Sequence, residues 1–321
     1  MPDAKPSTEG TPRLKDQMNP DRSNIGGGRR MTAAVSSSAA LLPEEMLTEV
    51  LLRFPVKSIL RFRAVCRSWA AIFSSEEFHL LHTAMAKTAP SAATPKLFLV
   101  SPTESDSTAV YSCSPSNPQN DLLFTLANAP ANSMEVVNPV PCHGLTLLQH
   151  DFLPAYYLCN AATREVTCLP PSFDASYSST GLGLDARTRN YKVVRLINGM
   201  PHDKETINCE VYTGNGEDRW RPAATGVPFG LRRIACAAVM DAAVYKLRPV
   251  FANGSLHWLI RPSPFISKPR ASVISFSVTE ETFGFARPPP FWASEVHKPF
   301  WTGPLPSVDR LVEMDNQLCI V

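Results

Sequence analysis

The 321-residue sequence has eight cysteines but no Cys-x-x-Cys pair. Cys142 and His143 are adjacent, yet the other cysteines and histidines lack zinc-ligand spacing. Reduced, buried thiols of an intracellular protein are therefore expected, with no metal. There is no GxSxG, HExxH, Walker loop or glycine-rich dinucleotide fingerprint, which removes the common hydrolase, metalloprotease and nucleotide-binding readings. No cofactor is implied. No apolar run reaches the about 18–20 residues that cross a bilayer. The opening MPDAKPSTEG lacks the apolar core of a signal peptide. Net charge is only +2, too little for a nucleic-acid or anionic-membrane footprint. Cytosol, nucleus or both are the expected compartments.

What the chain does have is length for about two domains, 44% apolar residues and 30 prolines, a high proline share. The prolines cluster at segment ends, as strand-terminating turns require. Residues 1–38 are rich in Pro, Ser, Gly and mixed charge, so a disordered segment is expected. Gly26-Gly27-Gly28-Arg29-Arg30 lacks the GK[ST] ending of a phosphate loop and reads as flexible linker. Met31 offers a second translation start, because nothing upstream contributes to a fold. Intact masses that all begin near Met1 would remove that idea.

Residues 42–69, LPEEMLTEVLLRFPVKSILRFRAVCRSW, are the densest apolar stretch. Leu47, Val50, Leu51 and Phe54 recur at i, i+3, i+4, i+7, one face of a helix. Pro43 suits a first helical position, with Glu44 and Glu45 in the acid-favouring first turn. Pro55 should end the helix near Phe54. Val56, Ile59, Leu60 and Val65 form a second apolar set, and Cys66, Trp69, Ile72 and Phe73 a third. Three short helices cannot bury this surface among themselves, so another part of the chain or another protein must cover it. Glu76 to about Met85 continues the helical module, and TAPSAATP reads as a linker.

This stretch resembles the F-box in Leu42-Pro43, Leu47, Val50-Leu51, Pro55-Val56-Lys57-Ser58, Leu60-Arg61-Phe62-Arg63 and Val65-Cys66-Arg67-Ser68-Trp69. The resemblance implies a trihelical module that docks on a Skp-type adaptor and, through it, on a cullin scaffold in an SCF-type ubiquitin ligase. The adaptor face is then expected at Leu42, Pro43, Leu47, Val50, Leu51, Phe54, Val56, Ile59, Leu60, Val65, Cys66 and Trp69. An unsated helical face is what such a partner surface needs. The plainer alternative packs these helices on the chain's own C-terminal part.

From residue 96 short apolar runs rich in Val, Leu, Tyr and Phe alternate with Gly, Pro, Asn and Asp clusters, a strand pattern. They fall into triplets: KLFLV, TAVYSC and DLLFTL (96–126); GLTLL, AYYLCN and EVTCLP (144–170); YKVVRL, CEVYT and RWRPA (191–223); SLHWLI, VISFSV and TFGFA (255–286). TGLGL (180–184) and PVFAN (249–253) fall between triplets as candidate fourth strands, and QLCIV (317–321) reads as the first strand of a fifth unit. Asn160–Arg164 and Gly214–Asp218 read as polar turns. Four-stranded antiparallel repeats at this spacing suggest propeller blades. The fold class expected is α+β multi-domain, a small helical module followed by an all-β propeller-like domain.

The region from about residue 96 resembles the F-box-associated domain of many plant F-box proteins. The resemblance is carried by Cys142-His143-Gly144-Leu145, Asn160-Ala161-Ala162-Thr163-Arg164, Gly181-Leu182-Gly183-Leu184-Asp185, Tyr191-Lys192-Val193-Val194, Val211-Tyr212, Trp220-Arg221, Asn253-Gly254-Ser255-Leu256-His257-Trp258 and Ile274-Ser275-Phe276. It implies a kelch-like propeller that captures the protein to be ubiquitinated. Two departures are Cys159-Asn160 and Phe276-Ser277, where the family usually has Trp-Asn and Phe-Asp, so local turn or core contacts should differ. The chain stops at Val321, one strand into a unit. Either the propeller is truncated or the last strand closes a smaller ring, and poor solubility is expected for residues 90–321 alone. The expected organisation is 1–38 disordered, 39–85 F-box, 86–95 linker and 96–321 β domain.

Candidates for chemistry are few. Glu217-Asp218 and Glu280-Glu281 are paired acids in polar segments and read as solvated turn residues. His257-Trp258 inside an apolar strand reads as core rather than as a ligand-stacking pair. Trp220, Trp292, Trp301 and the loop Pro288-Pro289-Pro290-Phe291-Trp292 are weaker partner-site candidates. The function expected is a non-catalytic client adaptor. The alternatives are an F-box protein that holds the adaptor without delivering a client, and a propeller glycan hydrolase with an appended F-box.

Overall fold

The computed structural model describes residues 43–88, 97–104, 107–114, 117–127, 129, 133–150, 153, 155–172, 177–198, 207–214, 219–260, 272–286, 310–314 and 316–321. The expectations for residues 1–38, Leu42, the linker from 89, Glu217-Asp218, Pro288–Trp292 and Trp301 lie outside these. The chain divides into two units, Met1–Leu47 and Thr48–Val321. Of the first, the described part is Pro43 and the opening of helix α1 (Glu44–Leu52), where Leu47 N–H donates to the Pro43 carbonyl at 3.0 Å. The helix begins one residue past the expected position, at the margin where helix ends fray.

Within the second unit Pro55 is extended and hands over to α2 (Val56–Phe62), its carbonyl accepting from Ser58 N–H at 2.8 Å. Cys66 is also extended and caps α3 (Arg67–Ser74), its Sγ accepting from Trp69 N–H at 3.5 Å. Ser75 caps α4 (Glu76–Thr88), accepting from Phe78 N–H at 3.2 Å. This fourth helix runs past the expected end at Met85. Phe54, Phe62, Trp69, Phe73 and Phe78 form an edge-to-face ladder with centroid spacings of 5.2, 5.6, 6.2 and 5.2 Å. His82 stacks on Phe78 at 5.9 Å and its Nε2 meets the Phe54 carbonyl at 3.0 Å, tying α4 back to the end of α1.

Among the described residues the rest forms five antiparallel sheets. The first is β1 (Leu97–Pro102), β2 (Thr108–Ser114) and β3 (Asn117–Leu126). The second is β4 (Met134–Val136), β5 (Leu145–His150), β6 (Tyr156–Asn160) and β7 (Glu165–Cys168). The third is β8 (Tyr177–Leu184), β9 (Tyr191–Asn198), β10 (Ile207–Thr213) and β11 (Arg221–Pro222). The fourth is β12 (Val250–Ala252), β13 (Ser255–Ile260), β14 (Ser272–Ser277) and β15 (Phe283–Ala286), and β16 (Leu311–Met314) pairs with β17 (Gln317–Ile320). All four triplets are strands of one sheet each, and TGLGL and PVFAN supply the opening strands of the third and fourth. QLCIV is not the first strand of its unit, because β16 precedes and pairs with it.

Each sheet shares a core with the next. Val110 and Leu123 meet Leu148 and Cys159; Leu147 and Tyr156 meet Leu182 and Val193; Val194 and Leu196 meet Leu256 and Trp258; Leu259 and Val273 meet Leu311. Alternate residues of one strand therefore serve opposite cores, which is why β9 is buried at every position from Lys192 to Ile197 rather than at alternate ones. This is the stacking order of propeller blades. Gly181 and Gly183 permit the close approach of the third and fourth sheets. A Cβ at Gly183 would stand 2.7 Å from Val278 and 2.9 Å from Phe251.

The hairpins reuse two devices. His143-Gly144 and Asn253-Gly254 both have positive φ, as a two-residue type I′ turn demands. The β6–β7, β8–β9 and β14–β15 turns share a five-residue form. The fifth residue (Arg164, Arg189, Glu281) is left-handed, with φ of 62, 60 and 50°. Its N–H donates to the carbonyl of the first (Asn160, Asp185, Ser277) at 2.9, 2.8 and 2.8 Å. The first side chain accepts from an amide two or three residues on: Asn160 from Ala162 at 2.9 Å, Asp185 from Arg187 at 2.9 Å, Ser277 from Glu280 at 3.2 Å. The departure at Ser277 thus leaves the turn unchanged, since a hydroxyl supplies the acceptor. Cys159 is fully buried between the first two sheets.

An unexpected element is α5 (Arg232–Tyr245), between β11 and β12. Five of its fourteen residues, RRIACAAVMDAAVY, are alanine, the best helix former, and Lys246 ends it in left-handed conformation at φ 55°. Ala235, Ala238, Val239 and Ala242 join the core of the third and fourth sheets. Among the described residues no helix is long and apolar enough to cross a membrane.

Candidate functional site

The helical residues expected to meet an adaptor divide into three groups. Leu51 and Ile59 are buried, at 1% and 8% exposure, inside the helical module itself. Phe54 and Trp69 are half-buried in the aromatic ladder, and Leu60 is half-buried on α2. Val50, Val56 and Val65 stand in solvent at 49%, 40% and 61% exposure, with Cys66 exposed beside Val65. In the first unit Leu47 is half-buried and Pro43 exposed. The module closes its own core with α4, through Phe73, Phe78 and His82, so another part of the chain covers some of the apolar surface of the three short helices. What is left outside is a set of β-branched side chains whose burial would release apolar surface from water.

In the β domain the sequence pointed away from the most ordered polar site. Glu281 is not a solvated turn acid: it is 4% exposed. Its left-handed backbone and the β14–β15 turn aim its carboxylate at the third sheet. Arg221 donates to it in fork geometry, at 2.7 and 2.5 Å, and Ala224 N–H at 2.9 Å. Lys192 Nζ lies 2.9 Å from Glu281 and 2.9 Å from Asp185, and donates to the Val278 carbonyl at 2.8 Å. Burial alone would raise the Asp185 carboxyl. The Lys192 ammonium and the amides of Arg187 and Thr188 outweigh it and hold Asp185 well below the usual carboxylate range. The same contest, settled by Arg221, Ala224 and Lys192, brings Glu281 down to about 2. Glu280, its sequence neighbour, does point into solvent, 3.9 Å from the exposed Arg187.

These residues line an open cleft of ≈ 460 Å³ together with Thr188, Asn190, Thr213 and Thr279. The buried Lys192 and the half-buried Arg221 neutralise the two buried carboxylates there. Glycoside cleavage needs one carboxyl held protonated as the acid and one ionised. Asp185 and Glu281 are both held ionised, so this cleft does not supply that pair. It joins two sheets.

The aromatic candidates among the described residues are structural. Trp258 is 2% exposed and its Nε1–H donates to Ser179 Oγ at 2.9 Å across the third and fourth sheets. Burial lowers the His257 pKa against backbone contacts with Val250 and Ser255. Trp220 donates to the Pro170 carbonyl at 2.9 Å and packs on Tyr156 and Tyr212, centroids 5.5 and 5.8 Å away, so it is no open platform. The two long-range partners of Glu281, Lys192 and Arg221, are 89 and 60 positions away in sequence, with nothing local to mark them. The repeated Asx-type turn was the signal that could have placed Asp185.

Comparison with known proteins agrees with this architecture. Residues 40–81 match the family described as F-box domain, and residues 98–302 the family described as F-box associated beta propeller domain. Similar proteins of Arabidopsis thaliana include F-box/WD-40 repeat-containing protein 1, 25% identical over 77% of this chain and 55% of its own length. An F-box/kelch-repeat protein is 28% identical over 75% of this chain and 64% of its own length. An F-box protein is 24% identical over 83% and 57%. The chain thus spans 55–64% of the length of these relatives. Among solved structures, TolB from Acinetobacter baumannii aligns with a TM-score of 0.33 at 12% identity, over 60% of this chain and 41% of that one, too low to carry any argument.

Proposed function

This chain belongs to the family of F-box proteins that carry an F-box-associated β-propeller domain, and from that premise we propose that it is the client-recognition subunit of an SCF-type cullin-RING ubiquitin ligase. The F-box, residues 39–85, docks on a Skp-type adaptor that joins it to the cullin scaffold. The β domain, residues 96–321, holds the client. The chain itself contributes no catalytic group. Its mechanism is proximity: tethering raises the effective concentration of client lysines beside the conjugating enzyme's thioester.

The observation that carries this reading is the exposure of Val50, Val56 and Val65 on a helical module whose core is already closed. A helix-on-helix partner buries such side chains, with Leu60 and Cys66, while Leu51, Ile59, Phe54 and Trp69 hold the helices in place beneath; Leu47, in the first unit, is a further candidate contact. Co-expression of the full chain with a Skp-type adaptor and a cullin tests it. Recovery of all three in one complex supports the reading. A folded chain that leaves both behind overturns it.

A further inference from the structure

Helix α5 is apolar on two opposite faces. Ala235, Ala238, Val239 and Ala242 are buried in the core. On the other side Arg233, Met240 and Val244 follow one another at spacings of seven and four, and the exposed Phe229 stands in the 3-10 turn that precedes α5. Phe229, Met240 and Val244 are 75%, 40% and 62% exposed, and Tyr245 beside them 42%. A helix with one face in a core ordinarily turns polar residues outward. Here the last turns of the outward face are apolar, Met240, Val244 and Tyr245 spanning about 7.5 Å, five steps of 1.5 Å.

Both ends of the stripe are basic. At one, Arg232 lies over the Phe229 ring at 5.7 Å and donates to the Val227 carbonyl at 3.4 Å. Arg233 is exposed and has no carboxylate partner among the described residues. At the other, Lys246 and Arg248 share one carboxylate, Glu135, with Lys246 Nζ 3.3 Å away. Asp241, at mid-stripe, is half-buried and already engaged.

We propose that the outer stripe of α5 seats an acidic amphipathic helix of the client. This rests on the reading of the β domain as the client-holding part. Apolar anchors of the incoming helix at i, i+3, i+4 and i+7 cover Phe229, Met240 and Val244, and its carboxylates meet Arg233 and Lys246 at the ends. The charge pattern disfavours a second copy: whichever way two stripes are apposed, a basic end faces a basic end. It also disfavours a bilayer, since so few apolar side chains on a chain of net charge +2 give only marginal adsorption.

The test uses the full chain and two synthetic four-turn helical peptides with the same leucine seam, one with glutamates at both ends and one with lysines. By fluorescence anisotropy the glutamate peptide should bind at least about tenfold tighter than the lysine peptide. Met240→Glu/Val244→Glu should abolish binding without lowering the melting temperature, because both side chains are exposed. Arg233→Glu should weaken the glutamate peptide and strengthen the lysine peptide. Absent or charge-blind binding overturns the proposal, as does binding that survives Met240→Glu/Val244→Glu. So does a dimer dissolved by that variant, which makes a second copy the occupant, or flotation with phosphatidylserine vesicles in place of peptide binding. Adaptor capture is read separately: peptide binding without it sinks the ligase reading alone, and capture without peptide binding sinks the α5 site alone.

Discussion

Lys192 on β9 and Glu281 in the β14–β15 turn meet at 2.9 Å, both more than nine-tenths buried, and this contact fastens the third sheet to the fourth. Asp185 and Arg221 complete it, one carboxylate on the lysine and one guanidinium on the glutamate. Packing of Trp258 and Phe276 against Val194 and Val211 gives the same pair of sheets their shared core. The charges fix where the two sheets meet; the core supplies the apolar burial.

Removing the ammonium should be severe. Lys192→Met leaves Asp185 buried without its cation and Glu281 with Arg221 alone, a change that costs about 3–5 kcal/mol. Urea denaturation of the full chain should show a markedly lower midpoint. Glu280→Gln, at an exposed position one residue from the clasp, should shift stability by no more than about 0.5 kcal/mol. Equal midpoints for the two variants would mean that the clasp is not a stabilising feature.

The clasp also sets an acid limit. Asp185 and Glu281 have depressed carboxyl pKa values when folded, Glu281 about 2 against 4.5 for a free glutamate. Their contribution is therefore whole above pH 5 and is lost as the pH falls toward 2. Glu210 works in the opposite sense, because burial raises it despite Arg195. Denaturation midpoints should fall between pH 5 and pH 2 in the wild type and fall less steeply in Glu281→Gln. Parallel curves would place the acid sensitivity elsewhere.

The thiols should separate by burial. Cys142 and Cys159 are pushed up to about 12 by burial, and Cys209 is raised by burial and by the nearby Glu281 and Glu210 charges. Cys66 and Cys168 are exposed. Iodoacetamide at pH 8 should modify Cys66 and Cys168 in the native protein and reach Cys142, Cys159 and Cys209 only in denaturant, as peptide mass spectrometry would show. If Cys66 becomes protected when an adaptor is added, it lies under the docked partner.

The sequence carried the repeating part of the fold and not its exceptions. Strands such as Tyr191–Asn198 and Ser255–Ile260 announce themselves, because each has its own apolar residues directly after a turn. The three-residue strand Met134–Val136 exists only through its pairing with β5, and Leu311–Met314 only through β17. Helix α5 hid among strand-rich neighbours although its alanines favour a helix. Glu281 looked like a turn acid because its partners lie in other sheets. In the F-box, periodicity marked Leu51 and Val50 alike as apolar. Only packing separates the residue that holds the module together from the one that faces outward.

The central claim is that exposed valines of the F-box bind a Skp-type adaptor. Titration of purified adaptor into the full chain by calorimetry, wild type beside Val50→Asp/Val65→Asp, tests it most directly. Both valines are outside the core, at 49% and 61% exposure, so the variant should melt with the wild type. Wild-type binding and at least about a hundredfold loss in the variant are expected, since two charges would be desolvated at the interface. Equal affinity in a variant that melts normally would contradict it.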